Sequence, residues 1–438
     1  MTDPQAPNSE VAARNPDHRP ETLAIHAGEP YPRHWRAVIP PIYQCSVFEV
    51  ADDDDDASDE HGEHEANETA ETSDANEANE TTDTTHPSAQ PRGEAPRIQY
   101  PRLGNVPNQT VVAKKLAHLE GAEAGLVTAS GMAAVSASLL SVLKPGDHVL
   151  AQDALYGGTH QLMTKDLPAY GIEVDFVDGN DPKGWAQKLK SSTRVFYTES
   201  ITNPILKVAD HHAVVEFSRQ NGLVSMIDNT FASPVNFRPV EIGYDLSIHS
   251  ATKYLNGHSD LVAGAVVGHQ RFIDGVQRFV LHFGACLDAH ACFLLHRGMK
   301  TLALRVRHQS ASALILAQHL ERHPMIARVY YPGLLSHPTH DLARSLLTGY
   351  GGMMAFEHRD GVQAARAMTR RLKLAVYATS LGGVESIVTL PSRTSHLPMS
   401  PEERRRAGIA DGLVRLSVGI ENVDDLVEDF DQALRVDA

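Results

Sequence analysis

RVFYTESITNPILKVADHHAVVEFSRQNGLVSMIDN, residues 194–229, decides the fold. Its ends, RVFYTES (194–200) and LVSMIDN (223–229), are short apolar runs rich in β-branched and aromatic residues, and each closes on a polar cluster. Between them Asp210 to Asn221 reads as a helix. Strand, crossover helix and strand in this order build a parallel sheet. The alternation continues outward on both sides, with strand candidates HVLAQD (148–153), EVDFVD (173–178), LSIHS (246–250) and AGAVVGH (263–269), and a helical run from Thr159 to Tyr170. Ligands of such sheets gather at the carboxyl ends of the strands. Asp153, Glu199, Asp228 and Ser250 are therefore expected to face one crevice.

From about His308 the pattern turns helix-rich, then gives shorter strands, GMMAFEH (352–358) and LVRLSVG (413–419), and a helical tail, ENVDDLVEDFDQALRV (421–436). A smaller α+β domain is expected there. A chain of 438 residues exceeds what one core usually organises. The expected division is an N-terminal arm over 1–98, a large domain over 99–307 and a small domain over 308–438.

The net charge of −16 is concentrated in one place. Between Asp52 and Asp83 stand fifteen Asp and Glu and no Lys or Arg, which leaves 40 acidic against 39 basic residues elsewhere. The stretch from about 51 to 90 lacks large apolar side chains, so burial cannot offset the entropy of ordering it, and it reads as a disordered insertion. His61, His64 and His86 within it read as solvated. The nearly neutral remainder argues against a nucleic-acid-binding surface, which would need a clustered basic footprint. No apolar run approaches the ~18 residues of a membrane span, and the polar start carries no signal-peptide core. A cytoplasmic location is the expectation. Cys45, Cys286 and Cys292 have neither zinc-site nor disulfide spacing and are expected as buried free thiols. No metal site is expected.

SIHSATKYLNGHSDLVAG (247–264) places Lys253 just past a strand end, behind two hydroxyl residues. A lysine so placed suits a Schiff-base nucleophile beside a phosphate to which Ser250 and Thr252 donate. SGMAAVSASLLSVL (130–143) sets the backbone N–H groups of Gly131 and Met132 at a helix N-terminus, which favours an anion. Asp228 closes an apolar strand, where a carboxylate suits a protonated ring nitrogen. Tyr156, in DALYGGTH, follows another strand end, and its ring suits stacking on a planar group.

These segments recur in order with YPRLGN, TNP, IDNTFASP, SLGGVES and RLSVGIE, and the chain from about Thr22 onward resembles the Cys/Met-metabolism family of enzymes that use pyridoxal 5′-phosphate (PLP). The resemblance implies an α/β chain: a PLP fold-type I (aspartate-aminotransferase-like) large domain with a mainly parallel sheet, and a smaller C-terminal α+β domain. It implies PLP held on Lys253, with Gly131, Met132, Ser250 and Thr252 on the phosphate. Tyr156 stacks on the ring and acts as acid and base, Asp228 pairs with the ring nitrogen, and Asn203 lies near the phenolic oxygen. Tyr100 and Arg102 reach the phosphate of a neighbouring subunit, which implies a dimer, commonly doubled to a tetramer. Arg415 grips the substrate carboxylate and Ser380 supports it, a bidentate task for which lysine is less suited.

The implied reaction makes or breaks the Cγ–S bond of cystathionine or activated homoserine, as a cystathionine γ-lyase or γ-synthase. Thr379 stands where γ-lyases of the family typically carry a glutamate, Gln161 where an arginine is frequent, and Gly158 where methionine γ-lyases carry a reactive cysteine. O-acetylhomoserine sulfhydrylase, cystathionine β-lyase and methionine γ-lyase are the alternatives within the family. A PLP-binding regulatory or interaction protein is the alternative from another class.

Overall fold

The structure, a computed structural model, describes residues 18–30, 33, 37–50, 98–394, 396–397, 400, 402, 404 and 408–435. The acidic stretch 51–90, with its three histidines, lies outside the described residues. By its contacts the chain forms two units, Cys45–Tyr100 and Met1–Gln44 with Pro101–Ala438.

In the larger unit seven strands form the main sheet: β1 (Ala124–Thr128), β2 (His148–Gln152), β3 (Glu173–Val177), β4 (Thr193–Glu199), β5 (Val224–Asp228), β6 (Leu246–His249) and β7 (Gly264–Gly268). Their spatial order is β1-β7-β6-β5-β4-β2-β3. The opening segment folds as read, with Thr193–Glu199 and Val224–Asp228 paired in parallel around helix His211–Gln220. β2 and β7 are buried along their whole length, as strands covered on both faces should be.

The sheet departs from the sequence reading in two ways. β7 runs antiparallel to both β1 and β6, because residues 250–263 form turns with no crossover helix to return the chain to the far end of the sheet. β1, AGLVT, is a further edge strand, too short and glycine-bearing to stand out by pattern. The expected helix Thr159–Tyr170 forms in pieces, Gly157–Gln161 and Leu167–Ala169, around a π-helical turn at Leu162–Asp166. Pro168 lacks the N–H that would continue an α-helix through this point.

One face of the sheet is locked by an aromatic trio. Trp185 packs edge-on against Phe196 and Phe217 at centroid distances of 5.2 and 5.6 Å, and its indole N–H donates to Asp178 O at 2.6 Å. Trp185 is fully buried. Trp185→Ala is expected to cost about 3–5 kcal/mol of stability through the cavity it leaves. The measurement is a denaturant midpoint that falls while turnover per folded molecule stays unchanged.

A second sheet has five strands, β8 (Ile326–Tyr330), β9 (Met353–His358), β10 (Val376–Tyr377), β11 (Ile387–Thr389) and β12 (Leu413–Ser417), in the order β10-β11-β12-β9-β8. Helix Leu302–Arg322, which runs across residue 308, packs on β8 and on helix Val423–Leu434. β12 is buried throughout and central, so Arg415 at its middle stands on a rigid element. The three cysteines are free, but only Cys292 is buried. Cys286 is half-buried, and Cys45 is exposed on a stretch with neither helix nor strand to cover it. No described helix is long and apolar enough to cross a membrane.

Candidate active site

The carboxyl ends of β4, β5 and β6 open into a cavity of about 580 Å³. Its lining includes Gly131, Met132, Tyr156, Asn203, Asp228, Ser250, Thr252, Lys253, Ser380 and Arg415. The sequence-derived candidates thus converge from both sheets on one place, and Glu199 joins them as expected. Asp153 does not; its carboxylate lies near Asp178 and Lys207.

On one side, Ser130 caps helix Gly131–Val142 by accepting the Ala133 N–H at 3.1 Å. The first N–H groups of a helix have no partner within it. A Cβ on Gly131 would stand 2.7 Å from the Ser250 Cβ, so only glycine lets this helix start approach the end of β6 so closely. Ser250 N donates to Thr230 Oγ1 at 2.8 Å, and its hydroxyl makes no hydrogen bond among the described residues. Thr252 is more committed: its hydroxyl donates to Ala263 O at 3.1 Å and accepts from Ala263 N at 3.0 Å. Thr230, two residues past Asp228, fixes both strand ends, because its N–H also donates to Asp228 Oδ1 at 2.9 Å. Sequence reading passed over it, although a hydroxyl so close to a strand-end carboxylate was the available signal.

Asp228 lies in the cavity with no Lys, Arg or His in ion-pair range among the described residues. Burial raises its pKa, against the hydrogen bonds from Thr230 and the field of His249. Glu199 is pushed well above the carboxylate range by burial and then by the Asp228 charge, and it accepts the Tyr156 N–H at 2.6 Å. Both shifts favour the protonated acid, more strongly at Glu199, so of the two Asp228 is the carboxylate that a cation recruits more readily.

On the other side, Lys253 Nζ donates to Ser380 Oγ at 2.8 Å. Burial, helped by the nearby Arg415 charge, lowers its pKa to about 8. Arg415 donates to Asn203 Oδ1 at 3.0 Å and to the Ser380 carbonyl at 3.2 Å. Burial lowers its pKa to about 10, so the guanidinium stays charged at neutral pH. Ser380 adopts φ +86°, a left-handed conformation costly for a residue with a side chain. The loop is pinned by Gly382 N, which donates to Ser417 Oγ at 2.8 Å.

Tyr156 stands half out of the protein at the cavity wall. A Cβ on Gly158 would lie 2.6 Å from its ring, so the glycine leaves room for the ring to lean back. Arg102 does not line the cavity, and its guanidinium donates to Leu281 O at 3.1 Å. Tyr100 ends the smaller unit and is exposed. Among the described residues no group of three or more His, Cys, Asp and Glu could hold a metal.

This donor set fits PLP on two independent counts. The Gly131 and Ser250 approach is a cradle that a single Cβ would fill, bordered by backbone N–H groups and a free hydroxyl that suit a phosphate. The uncompensated Asp228 carboxylate lies in the same cavity as a lysine whose amine is partly neutral near pH 7.

Comparison with known proteins agrees. The sequence pattern of the family described as Cys/Met metabolism PLP-dependent enzyme matches residues 21–435. An L-methionine γ-lyase from Fusobacterium nucleatum subsp. polymorphum is 42% identical over 338 residues, 76% of this chain and 85% of the relative. The cystathionine β-lyase MetC of Bacillus subtilis is 42% identical over 337 residues, 77% of this chain and 86% of the relative. The crystal structure of cystathionine γ-lyase from Lactobacillus plantarum superposes with a TM-score of 0.81 at 31% identity, covering 95% of this chain and 98% of that one. The chain belongs to the Cys/Met metabolism PLP-dependent enzyme family, and PLP is its cofactor.

Proposed function

We propose that this enzyme makes or breaks the Cγ–S bond of cystathionine or a close relative, as a γ-lyase or γ-synthase. The observation that carries the reading is the shared anchoring of two functional groups on Ser380: its hydroxyl accepts from Lys253 and its carbonyl accepts from Arg415. A carboxylate on Arg415 therefore brings an amino acid's α-carbon toward the lysine amine.

PLP, when bound, supplies the electron sink that lets carbons of an attached amino acid give up protons. In this reading Gly131, Met132, Ser250 and Thr252 hold its phosphate, Asp228 faces its ring nitrogen and Tyr156 its ring. Arg415 orients the substrate through a bidentate pair with the α-carboxylate. Lys253 Nζ takes the proton from Cα, and the same flexible amine serves Cβ, the next carbon along. Tyr156 Oη delivers a proton to the departing sulfur. Asn203 keeps Arg415 aimed while its own amide N–H stays available to the cofactor. Elimination ends in 2-oxobutanoate, ammonia and a thiol, whereas capture by cysteine gives cystathionine. Tyr100 and Arg102 are proposed to serve a neighbouring subunit, which would make the working unit a dimer, or a tetramer built of two such dimers.

A second reading, methionine γ-lyase, is favoured by the apolar wall of Val135, Ile201, Phe231, Val262 and Leu381, which suits a thioether. Gly158 opposes it, because a cysteine there would displace Tyr156. Product analysis separates the readings. Cystathionine should give 2-oxobutanoate and cysteine, or should form from activated homoserine and cysteine. Pyruvate and homocysteine from cystathionine would instead mark a β-lyase, and methanethiol from methionine as the only product would overturn the proposal.

A further inference from the structure

Two arginines line the cavity, and the reaction uses only Arg415. The second, Arg393, ends the short 3-10 turn Pro391–Arg393 and is exposed. Its position is fixed by the small sheet. Thr389 at the end of β11 is the cross-strand partner of Arg415, and the chain then turns, with Arg393 N donating to Leu390 O at 2.8 Å and Thr394 Oγ1 donating to the same carbonyl at 3.1 Å. The buried arginine and the exposed one are thus set in one register. Among the described residues no carboxylate lies within ion-pair distance of Arg393. The carboxylates among the residues lining the cavity are Glu199 and Asp228, both at strand ends of the large sheet, Glu199 engaged by the Tyr156 N–H and Asp228 assigned to the cofactor. Thr379, also in the lining, brings no charge.

We infer that Arg393 is a specificity-determining residue that reads a free carboxylate at the far end of the substrate's leaving group. The inference rests on the Cγ reading above and narrows its substrate class. Once the α-carboxylate is on Arg415 and Lys253 is engaged with the cofactor, the exposed guanidinium is the remaining arginine of the lining for a second carboxylate. Among the described residues no carboxylate pairs with Arg393 to repel that group or to reward a distal ammonium in its place. Guanidinium and carboxylate match in a bidentate geometry that ammonium lacks. A Cγ substituent ending in a carboxylate gains from Arg393, and one ending in a methyl group does not.

The test compares O-succinyl-L-homoserine with O-acetyl-L-homoserine, which lacks the terminal carboxymethyl unit, each with cysteine as acceptor. The wild-type holoenzyme is expected to favour the succinyl ester in kcat/KM. Because Arg393 is exposed, Arg393→Ala should lower kcat/KM for that ester by roughly five- to tenfold, mostly through KM, and leave the acetyl ester within about twofold. Arg393→Lys should recover part of the preference. Equal losses for both esters, or no loss for the succinyl ester, would overturn the inference. If neither ester is turned over, the Cγ reading is judged separately, by whether cystathionine yields 2-oxobutanoate and cysteine. The same contrast is then read from dissociation constants by calorimetry on the wild-type and Arg393→Ala holoenzymes, where a preference that vanishes with the arginine supports the inference and no preference overturns it.

Discussion

Lys253→Ala is expected to fold, to bind PLP only non-covalently, and to lose about 10⁴-fold in turnover, the upper end for removal of a general acid and base. In the proposed reading the covalent attachment and the proton transfer rest on one nitrogen, so both should fall together. The visible band of the lysine-bound coenzyme, near about 420 nm, should be absent. Borohydride should leave no label at position 253. The lowered pKa of about 8 adds a kinetic signature in the wild type. An amine attacks only when neutral, so roughly a tenth of the Lys253 side chains are competent at pH 7, about half at pH 8 and nearly all at pH 9. An unperturbed lysine would be several hundredfold less competent at pH 7. Covalent capture of PLP by coenzyme-free protein should therefore accelerate roughly fivefold between pH 7 and 8 and level off above 9. A capture rate still climbing tenfold per pH unit at pH 10 would show that burial and Arg415 do not tune this amine.

The site was legible where its residues sit at the ends of patterned strands, and illegible where a loop conformation decides. Asp228, Glu199 and Ser250 are read from apolar runs that stop at a polar residue, because a parallel sheet delivers such ends to one edge. Asp153 obeys the same pattern and misses the cavity, since a strand end fixes position along the sheet but not the direction in which the next turn sends the side chain. Lys253, Tyr156, Ser380 and Arg415 are unremarkable as single residues; the ordered set of motifs singled them out, and the structure then brought them into one cavity. Thr230 and Arg393 escaped for opposite reasons. Thr230 works through backbone hydrogen bonds that no periodicity encodes, and Arg393 depends on a turn whose register is set by β11 pairing with β12. The reversed β7 was missed because strand direction follows from what the connection contains, and residues 250–263 were read for chemistry rather than for length.

Asp228→Asn is expected to reduce turnover by roughly 10²- to 10³-fold and yet to stabilise the coenzyme-free protein. The substitution keeps the shape and the hydrogen bond from Thr230 while removing the charge. In the holoenzyme that charge is the proposed partner of the ring nitrogen, and removing one member of a buried pair costs about 3–5 kcal/mol, which sets the loss in rate. Without the coenzyme the same carboxylate is buried and uncompensated, and its pKa is raised. The folded protein then binds the proton more tightly than the unfolded chain, so this contribution to stability is present below the ordinary carboxylate range and is lost as pH rises through the raised pKa. Glu199, raised further by burial and by Asp228, adds to the loss in the same direction. Asparagine at 228 removes one titration and relieves the other. Melting temperatures of the two coenzyme-free proteins should be similar near pH 4 and should separate toward neutrality with the variant higher, while PLP should raise the wild-type value by more than the variant's. Curves that stay parallel across this range, together with undiminished turnover, would remove Asp228 from its assigned place and leave the cavity's negative charge without a role.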